Sequence, residues 1–186
     1  MLTNKDKNVI TELFNISFSK SISRLSVLLD DRLDISVPTV ISTDGNEIDN
    51  IFKNSNLIFN DVKGVVNYIK DTLEGNYAFL VEYNDHLKNL IDELDMETIN
   101  QVFIDTVSNT LNSLLDSNIE LVKSSPIINL DDLLNILKNN DGLKNRNIIF
   151  SRWSTRSNNI SGYIFLLVNT EKFIKLPKFV ELFGLS

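Results

Sequence analysis

The sequence contains no cysteine, and His86 is its only histidine. Disulfides, thiolate metal ligands and cysteine nucleophiles are therefore excluded. The six glycines are scattered singly, so there is no glycine-rich loop that could cradle a phosphate group. His86 has no serine or carboxylate pattern to join and is expected to be a surface residue. The sequence thus lacks the residue sets of a thiol enzyme and of a Cys/His metal site.

Long apolar runs and basic runs are missing as well. No segment approaches the roughly 20 apolar residues of a transmembrane helix. The first ten residues, MLTNKDKNVI, contain neither an apolar signal core nor a cleavage signal. Acidic residues outnumber basic ones by 25 to 18, which gives a net charge of -7. Because proteins that bind nucleic acid usually carry a basic patch, we expect no nucleic-acid partner. Because neither a transmembrane segment nor a signal is found, we expect a cytoplasmic protein with no membrane insertion.

What the sequence does contain is a clear helical period in residues 5–30. At about 100° per residue, one stripe of this segment is polar, and its members are Asn8, Glu12, Asn15, Ser19, Ser23 and Ser26. Apolar residues spread over the opposite side, together with the small residues Ser17 and Ser21. Asn4 is expected to cap the start. This pattern predicts a long amphipathic helix.

A strand and a hairpin are predicted after this helix. The segment ISVPTVIST (35–43) is typical of a strand, and Pro38 suits a strand start or a sheet edge because it has no N–H donor. The segment 64–83 is rich in Val, Ile, Tyr and Phe and predicts a β-hairpin, with Glu74-Gly75-Asn76 as its turn. A short helix is predicted at 84–94.

The same order of elements then restarts. A second long helix is predicted at 96–118, a strand at 119–128, a helical segment at 129–140 and a hairpin at 146–168, followed by a closing helix that is broken near Pro177. An offset of 88 residues places Pro38 on Pro126. An offset of 86 places Tyr77 on Tyr163. The fold class predicted from this repeat is α/β (α+β): one domain, 1–186, of two pseudo-symmetric halves (about 1–95 and 96–186), with a mostly antiparallel sheet and two long helices packed against it.

The repeat gives context to a motif in the first helix. Glu12, Asn15 and Pro38 form the spacing Glu-x2-Asn-x22-Pro. This spacing resembles that of the CheC/CheX/FliY family of chemotaxis phosphatases, and the resemblance spans nearly the whole chain. The family has Asp or Ser four residues before the glutamate, where this chain has Asn8. The family also favours small residues around the asparagine, where this chain has Phe14 and Phe18.

The resemblance implies a phosphatase that acts on the phosphoaspartate of a CheY-like response regulator. It implies that Asn15 orients the attacking water and that Glu12 pairs with the regulator's lysine, with Asn8 and Pro38 in supporting roles. The Mg²⁺ of such a complex belongs to the regulator, so the chain needs no cofactor and no metal site of its own. One helical turn between Glu12 and Asn15 places both side chains on one face, as these roles require.

At most one such site is predicted in the whole chain, because the second half lacks the motif pair. Adding 88 to the two motif positions gives Asn100 and Phe103, so the catalytic pair is absent there. Phe103 forms an apolar stripe with Met96 and Val107, which is expected to be core or a contact in a homodimer. The alternative function is a non-catalytic module of the same fold, either a binder of response regulators or a flagellar-switch or scaffold component. An unrelated α/β sensor domain is a third option.

Two other segments carry residues of potential interest. Arg152, Trp153 and Arg156 in SRWSTRS are residue types favoured at binding hot spots, but an exposed hairpin with a half-buried tryptophan is the expectation. Asp131 and Asp132 are adjacent, so on a helix their carboxylates diverge by about 100° and suit a helix start better than joint acid–base chemistry.

Overall fold

A computed structural model describes residues 2–43, 62–82, 95–127, 131–133, 135, 146–157 and 159–183. The predicted loop after residue 43 and the predicted short helix at 84–94, which includes His86, lie outside the described residues. No helix within the described ranges is long and apolar enough to span a bilayer.

The first long helix, α1, runs from Asn4 to Leu28. Its cap is Thr3, not Asn4 as the sequence suggested. The Thr3 hydroxyl accepts from the backbone N–H of Asp6 at 3.1 Å, and the Asp6 carboxylate accepts from the backbone N–H of Thr3 at 2.8 Å. This reciprocal pair is a capping box. It satisfies two backbone donors, whereas Asn4 is already inside the first turn.

The burial of α1 follows the predicted period. The buried residues of the helix form one face and comprise Ile10, Leu13, Phe14, Ser17, Phe18, Ser21, Ile22 and Leu25. The buried hydroxyls of Ser17 and Ser21 donate to backbone carbonyls one turn earlier, and Ser21 also lies 3.2 Å from the carbonyl oxygen of Phe103 on the second long helix. The small serines thus let the two helices approach closely without leaving a buried donor unpaired.

All strand pairs in the sheet are antiparallel. The strands are β1 (Leu33–Ile35), β2 (Thr39–Thr43), β3 (Val62–Asp71), β4 (Glu74–Glu82), β5 (Ile119–Ile127), β6 (Arg146–Thr155) and β7 (Ser161–Asn169). Their order is β1-β6-β7-β4-β3-β5, and β2 also pairs with β6. The fold class is therefore α+β with an antiparallel sheet, as predicted.

The predicted strand at 35–43 is split in two. Ile35 pairs with Trp153, and Thr39 pairs with Phe150. Three residues (36–38) therefore lie opposite two residues (151–152) of β6. The Ser36 hydroxyl accepts from the backbone N–H of Arg152 at 2.9 Å within this break. A one-residue excess of this kind is a β-bulge, and Pro38, which has no N–H to donate, lies just before pairing resumes.

Both predicted hairpins form. In the first, β3 pairs with β4 across a turn at 72–73, earlier than the predicted turn at Glu74-Gly75-Asn76. Gly75 instead lies within β4, where a Cβ atom would fall 2.0 Å from the carbonyl oxygen of Leu167 on β7. The glycine therefore permits a close approach of two strands rather than a turn.

The predicted second long helix and the broken closing helix both form, whereas most of the predicted helical segment at 129–140 lies outside the described residues. The second long helix, α2, runs from Met96 to Leu115, and two short helices, α3 (Glu171–Ile174) and α4 (Pro177–Phe183), replace the single closing helix. The break at Pro177 follows from the missing N–H of proline. Asp131 and Asp132 lie in the described helical residues 131–133.

The two halves exchange their edge strands. β1 and β2 of the first half pair with β6 of the second, and β5 of the second half pairs with β3 of the first. At the centre, Tyr77 of β4 pairs with Leu166 of β7, and Leu80 pairs with Tyr163. Adding 86 to Tyr77 gives Tyr163, and subtracting 86 from Leu166 gives Leu80, so the first pair maps onto the second. A pseudo-twofold axis therefore passes between β4 and β7.

The same offset of 86, and not 88, relates the two long helices. Asp30 and Asp116 follow the two helices, and both adopt left-handed backbone, with φ values of 47° and 49°. The offset of 86 also aligns the buried faces of α1 and α2, because Leu13 falls on Ile99 and Phe18 on Ile104. Asn100 and Phe103 are therefore wrong as the equivalents of Glu12 and Asn15, whose true equivalents are Thr98 and Gln101.

Aromatic rings from both halves meet in the core. Phe103 is fully buried and contacts three other rings, with centroid distances of 5.6 Å to Phe18, 5.7 Å to Tyr77 and 5.4 Å to Phe79. The apolar stripe predicted on the second helix is thus core, since Val107 is buried as well and Met96 packs against the same cluster.

Trp153 is more buried than predicted, with only 2% of its surface exposed. Its ring stacks on Phe79 at 5.2 Å, and its Nε1–H donates to the carbonyl oxygen of Leu80 at 3.2 Å. Gly162, its partner on β7, leaves room for the ring, because a Cβ atom there would lie 2.8 Å from the indole. Trp153 is buried because β4 and β7 pack around it, and the sequence of the hairpin alone does not predict these contacts.

Candidate functional site

The polar face of α1 holds the two motif residues. Glu12 is exposed and Asn15 is partly exposed. Three residues on a helix correspond to less than one turn, so the two side chains are neighbours on the helix surface. Within the described part of the chain, neither side chain forms a hydrogen bond or an ion pair. A carboxylate and an amide are thus presented together and remain available to a partner.

Phe14 and Phe18, the departures from the family pattern, do not cover this pair. Both are fully buried, and their rings contact each other edge to face at 5.5 Å. Phe14 also lies 6.2 Å from Phe173 of α3. Both phenylalanines point into the core, Phe14 about 160° and Phe18 about 120° around α1 from Glu12. Bulky residues at these positions change the packing under the helix and leave its outer face free.

The two residues expected to support the pair occupy different places. Asn8 is exposed one turn before Glu12 on the same stripe, and among the described residues it has no hydrogen-bond partner. Pro38 is buried at the end of the bulge between β1 and β2, and both strands contact α1. Pro38 is therefore part of the framework beneath the helix, whereas Asn8 belongs to the exposed surface.

The equivalent face of α2 is chemically different. Thr98 donates its hydroxyl proton to the Asp95 carboxylate at 2.6 Å in the helix cap, and the Gln101 amide donates to Asp105 at 2.8 Å. Asn100 is buried and accepts from the Asn67 amide at 3.1 Å. At these two positions α2 thus presents no free carboxylate–amide pair. The expectation of at most one site of this kind stays a prediction.

A second polar cluster lies at the ends of β4, β6 and β7. Glu82 accepts from the Tyr163 hydroxyl at 2.9 Å and from Arg152 at 3.3 Å, and it also contacts the Ser161 hydroxyl. Burial, together with the hydrogen bond to Glu82, raises the pKa of Tyr163 to about 12. Arg156 forms an ion pair with Asp34 of β1 at 3.3 Å. These contacts tie neighbouring strands together, so Arg152 and Arg156 have structural partners.

The sequence of the motif segment matches a known family. Residues 6–42 match the model of the CheC-like family, and this segment includes Asn8, Glu12, Asn15 and Pro38. A search of curated proteins finds no match. The resemblance stated from the sequence is thus confirmed over the segment that carries the motif.

The fold is similar to that of several solved structures. The crystal structure of FliY from Thermotoga maritima has 18% sequence identity and a TM-score of 0.63, with 97% of this chain and 98% of that chain covered. The FliM middle domain from H. pylori has 8% identity and a TM-score of 0.55, with 98% of each chain covered. A chain of the FliM–SpeE complex from H. pylori has 10% identity and a TM-score of 0.59 over all of both chains. At these identities the likeness shows a common fold.

Proposed function

We propose that this chain is a phosphatase that hydrolyses the phosphoaspartate of a CheY-like response regulator. The observation that carries the proposal is the exposed pair on α1, in which Glu12 and Asn15 share one face and have no partner among the described residues. The match to the CheC-like family supports it, because the matched segment includes this pair. We place this activity in the cytoplasm, where the proposed substrate is phosphorylated.

The proposed chemistry requires little more than a well-placed water. An acyl phosphate is energy-rich and hydrolyses spontaneously, so catalysis needs a water in line with phosphorus and a stabilised transition state. The amide of Asn15 can donate one hydrogen bond and accept another. It therefore suits the orientation of a single water molecule, and no covalent nucleophile is needed.

Glu12 has a docking role in this proposal. Its carboxylate accepts a charge-assisted hydrogen bond from a lysine of the regulator, which fixes the position of α1 on the phosphorylated site. Asn8, exposed one turn earlier, extends the same contact surface. Pro38 supports the helix from the sheet side. The regulator supplies the Mg²⁺, so the chain contributes no metal ligand.

A non-catalytic binding module is the alternative. It is favoured by the fold shared with FliM, a protein that also appears in a solved FliG–FliM complex from H. pylori. In this alternative, the polar face of α1 docks on a response regulator or a flagellar component without hydrolysis. The exposed and unpartnered Asn15 weighs against it, because docking alone does not require an amide beside the glutamate.

Phosphate release from an acyl-phosphorylated regulator separates the two functions. The wild type is expected to accelerate release above the regulator's own rate, and Asn15→Ala is expected to lose that acceleration. Ser19→Ala is the matched control, because Ser19 lies one turn further along the same exposed stripe. If the wild type binds the regulator and leaves the rate of release unchanged, the alternative function is correct. If Asn15→Ala retains full activity, the site assignment is wrong.

A further inference from the structure

A groove of about 420 Å³ lies between the two long helices. Lys20, Ser23 and Arg24 line it from α1, and Thr106, Asn109, Thr110 and Ser113 line it from α2. We name this set the interhelical groove. Two of its seven residues are cationic, the other five are neutral and polar, and none is acidic. The sequence signal of this groove is a pair of cations, Lys20 and Arg24, spaced four residues apart on the first predicted helix.

The interhelical groove borders the polar stripe of α1 and does not include Asn15. At about 100° per residue, Lys20 lies about 140° around α1 from Asn15, and Arg24 lies about 180° around. Ser23, which belongs to the polar stripe, lies about 20° from Glu12. A molecule in the groove therefore sits on the flank of α1 that faces α2, while Asn15 points away from it. What binds in the groove is consequently independent of the role proposed for Asn15.

The two cations of the groove lack acidic partners. The protein has 25 acidic residues, yet within the described ranges neither Lys20 nor Arg24 forms an ion pair. Like charges four residues apart on a helix repel each other, so the pair is unfavourable without an anion. The nearest acidic residue along α2, Asp105, accepts a hydrogen bond from Gln101 and is not among the lining residues. The groove thus presents uncompensated positive charge on a protein of net negative charge.

Hydroxyl and amide groups complete a donor-rich lining. Arg24 donates one hydrogen bond across the groove to the Thr106 hydroxyl at 3.3 Å, which holds the guanidinium against α2. Among the described residues, the remaining guanidinium donors, the Lys20 ammonium and the Asn109 amide have no partner, so they can bind a ligand. A planar guanidinium and an ammonium group both favour phosphate oxygens. The lining contains no aromatic or large apolar side chain that could hold a nucleobase.

We infer that the interhelical groove binds a compact phosphorylated small molecule, with Arg24 and Lys20 as the charged contacts. The volume lies within the usual range of small-molecule clefts, and the polar lining suits a ligand that is almost entirely anionic. A ligand held by residues from both α1 and α2 joins the two helices. Its binding is therefore expected to raise the melting temperature of the protein.

Inorganic pyrophosphate is the probe for this site, and calorimetry of the full chain is the measurement. We expect saturable binding with one site per chain, weakened by added salt because the contacts are charged. Arg24→Gln is expected to weaken binding by about tenfold, since it removes the charge-assisted hydrogen bonds. The Lys20 side chain forms no hydrogen bond with another described residue, so Lys20→Gln is expected to weaken binding with no loss of folding. Lys172→Gln, an exposed lysine on α3, is the matched control.

Amide chemical shifts give a second readout. On addition of pyrophosphate, the largest changes are expected at Ser23, Asn109 and Ser113, on both walls of the groove. The inference is overturned if pyrophosphate does not saturate, if Lys20→Gln and Lys172→Gln bind equally well, or if the shift changes map elsewhere. It is also overturned if an acidic peptide binds in the groove and pyrophosphate does not, because the ligand is then a protein segment. Loss of phosphatase activity in Asn15→Ala leaves all of these outcomes unchanged.

Discussion

Phe18 of α1 and Phe103 of α2 contact each other at the centre of the domain, with their ring centroids 5.6 Å apart. One ring comes from each half of the chain. Tyr77 and Phe79 of β4 close the same cluster from the sheet side. The two long helices are thus held to each other and to the central strands through one set of aromatic contacts, on which the exposed face of α1 depends for its position.

Truncation of Phe103 should cause a large loss of stability. Phe103→Ala removes a fully buried ring and its contacts with three others, and such changes cost about 3–5 kcal/mol in the free energy of unfolding. Chemical denaturation measures this loss. Phe183→Ala, which alters a partly buried ring at the end of α4, is the comparison and should cost much less. Equal losses for the two variants would show that Phe103 is not central to the core.

Replacement of Asn15 should affect the rate of phosphate release more than the binding of the regulator. We expect Asn15→Ala to slow release by about 100-fold, the scale seen when a single positioned hydrogen-bonding group is removed from an active site. The affinity for the regulator should change little, because the docking contacts of Glu12 remain. Single-turnover release and equilibrium binding, measured on the same variant, separate the two effects. A drop in affinity that accounts for the whole loss of rate would contradict this role.

Replacement of Glu12 should affect the binding of the regulator more than the rate of phosphate release. Glu12→Gln keeps the shape of the side chain and removes its charge, so we expect affinity for the phosphorylated regulator to fall by about tenfold. Because the lost contact is ionic and exposed, the wild-type affinity should decrease with added salt and that of the variant should depend less on salt. Titrations at low and high salt measure both. Identical salt dependence in the two proteins would exclude a charged role for Glu12.

The second half should contribute nothing to phosphate release. Thr98 and Gln101 occupy the positions equivalent to the motif pair, and both are engaged with carboxylates of their own helix. The double variant Thr98→Ala, Gln101→Ala should therefore release phosphate at the wild-type rate. Asn15→Ala serves as the positive control in the same assay. A slower double variant would point to a second site on α2.

Tyr163 gives a pH-dependent contribution to stability. Burial and the hydrogen bond to Glu82 raise its pKa to about 12, above the value of about 10 for an unfolded chain. The folded state therefore holds this proton more tightly, so the contribution is complete below about pH 10 and is lost as the pH rises from about 10 to about 12. Tyr163→Phe should be less stable than the wild type below this window, and its stability should decline less steeply within it. Denaturation across the window tests this, and parallel curves would contradict it.

Much of the fold and of the site follows from the helical period of residues 5–30. The polar stripe with Glu12 and Asn15 was predictable because an α-helix repeats every 3.6 residues, and burial in the structure follows that repeat. The burial of Phe14 on the opposite side follows from the same wheel, whereas Phe18, about 60° from Asn15, is buried by its contact with Phe103 of α2.

Features that depend on contacts between distant segments were not predictable in this way. The bulge at Ser36–Pro38 exists only relative to the register of β6, which lies more than a hundred residues away in sequence. The burial of Trp153 is decided by β4 and β7. The offset of 88 rested on positions in and beside edge strands, among them Pro38 and Pro126. A bulge separates β1 from β2, and the register of β5 against β3 shifts between Tyr68 and Ile69. That offset therefore did not hold for the helices.

The exchange of edge strands makes the two halves depend on each other. A protein with the length of one half, folded in the same way, would leave its strand β1–β2 unpaired and the outer side of its hairpin open. Two copies would satisfy each other by the same exchange, around an axis between their central strands. Each half therefore depends on the other for its strand pairing, and the two halves are expected to unfold together in one cooperative transition.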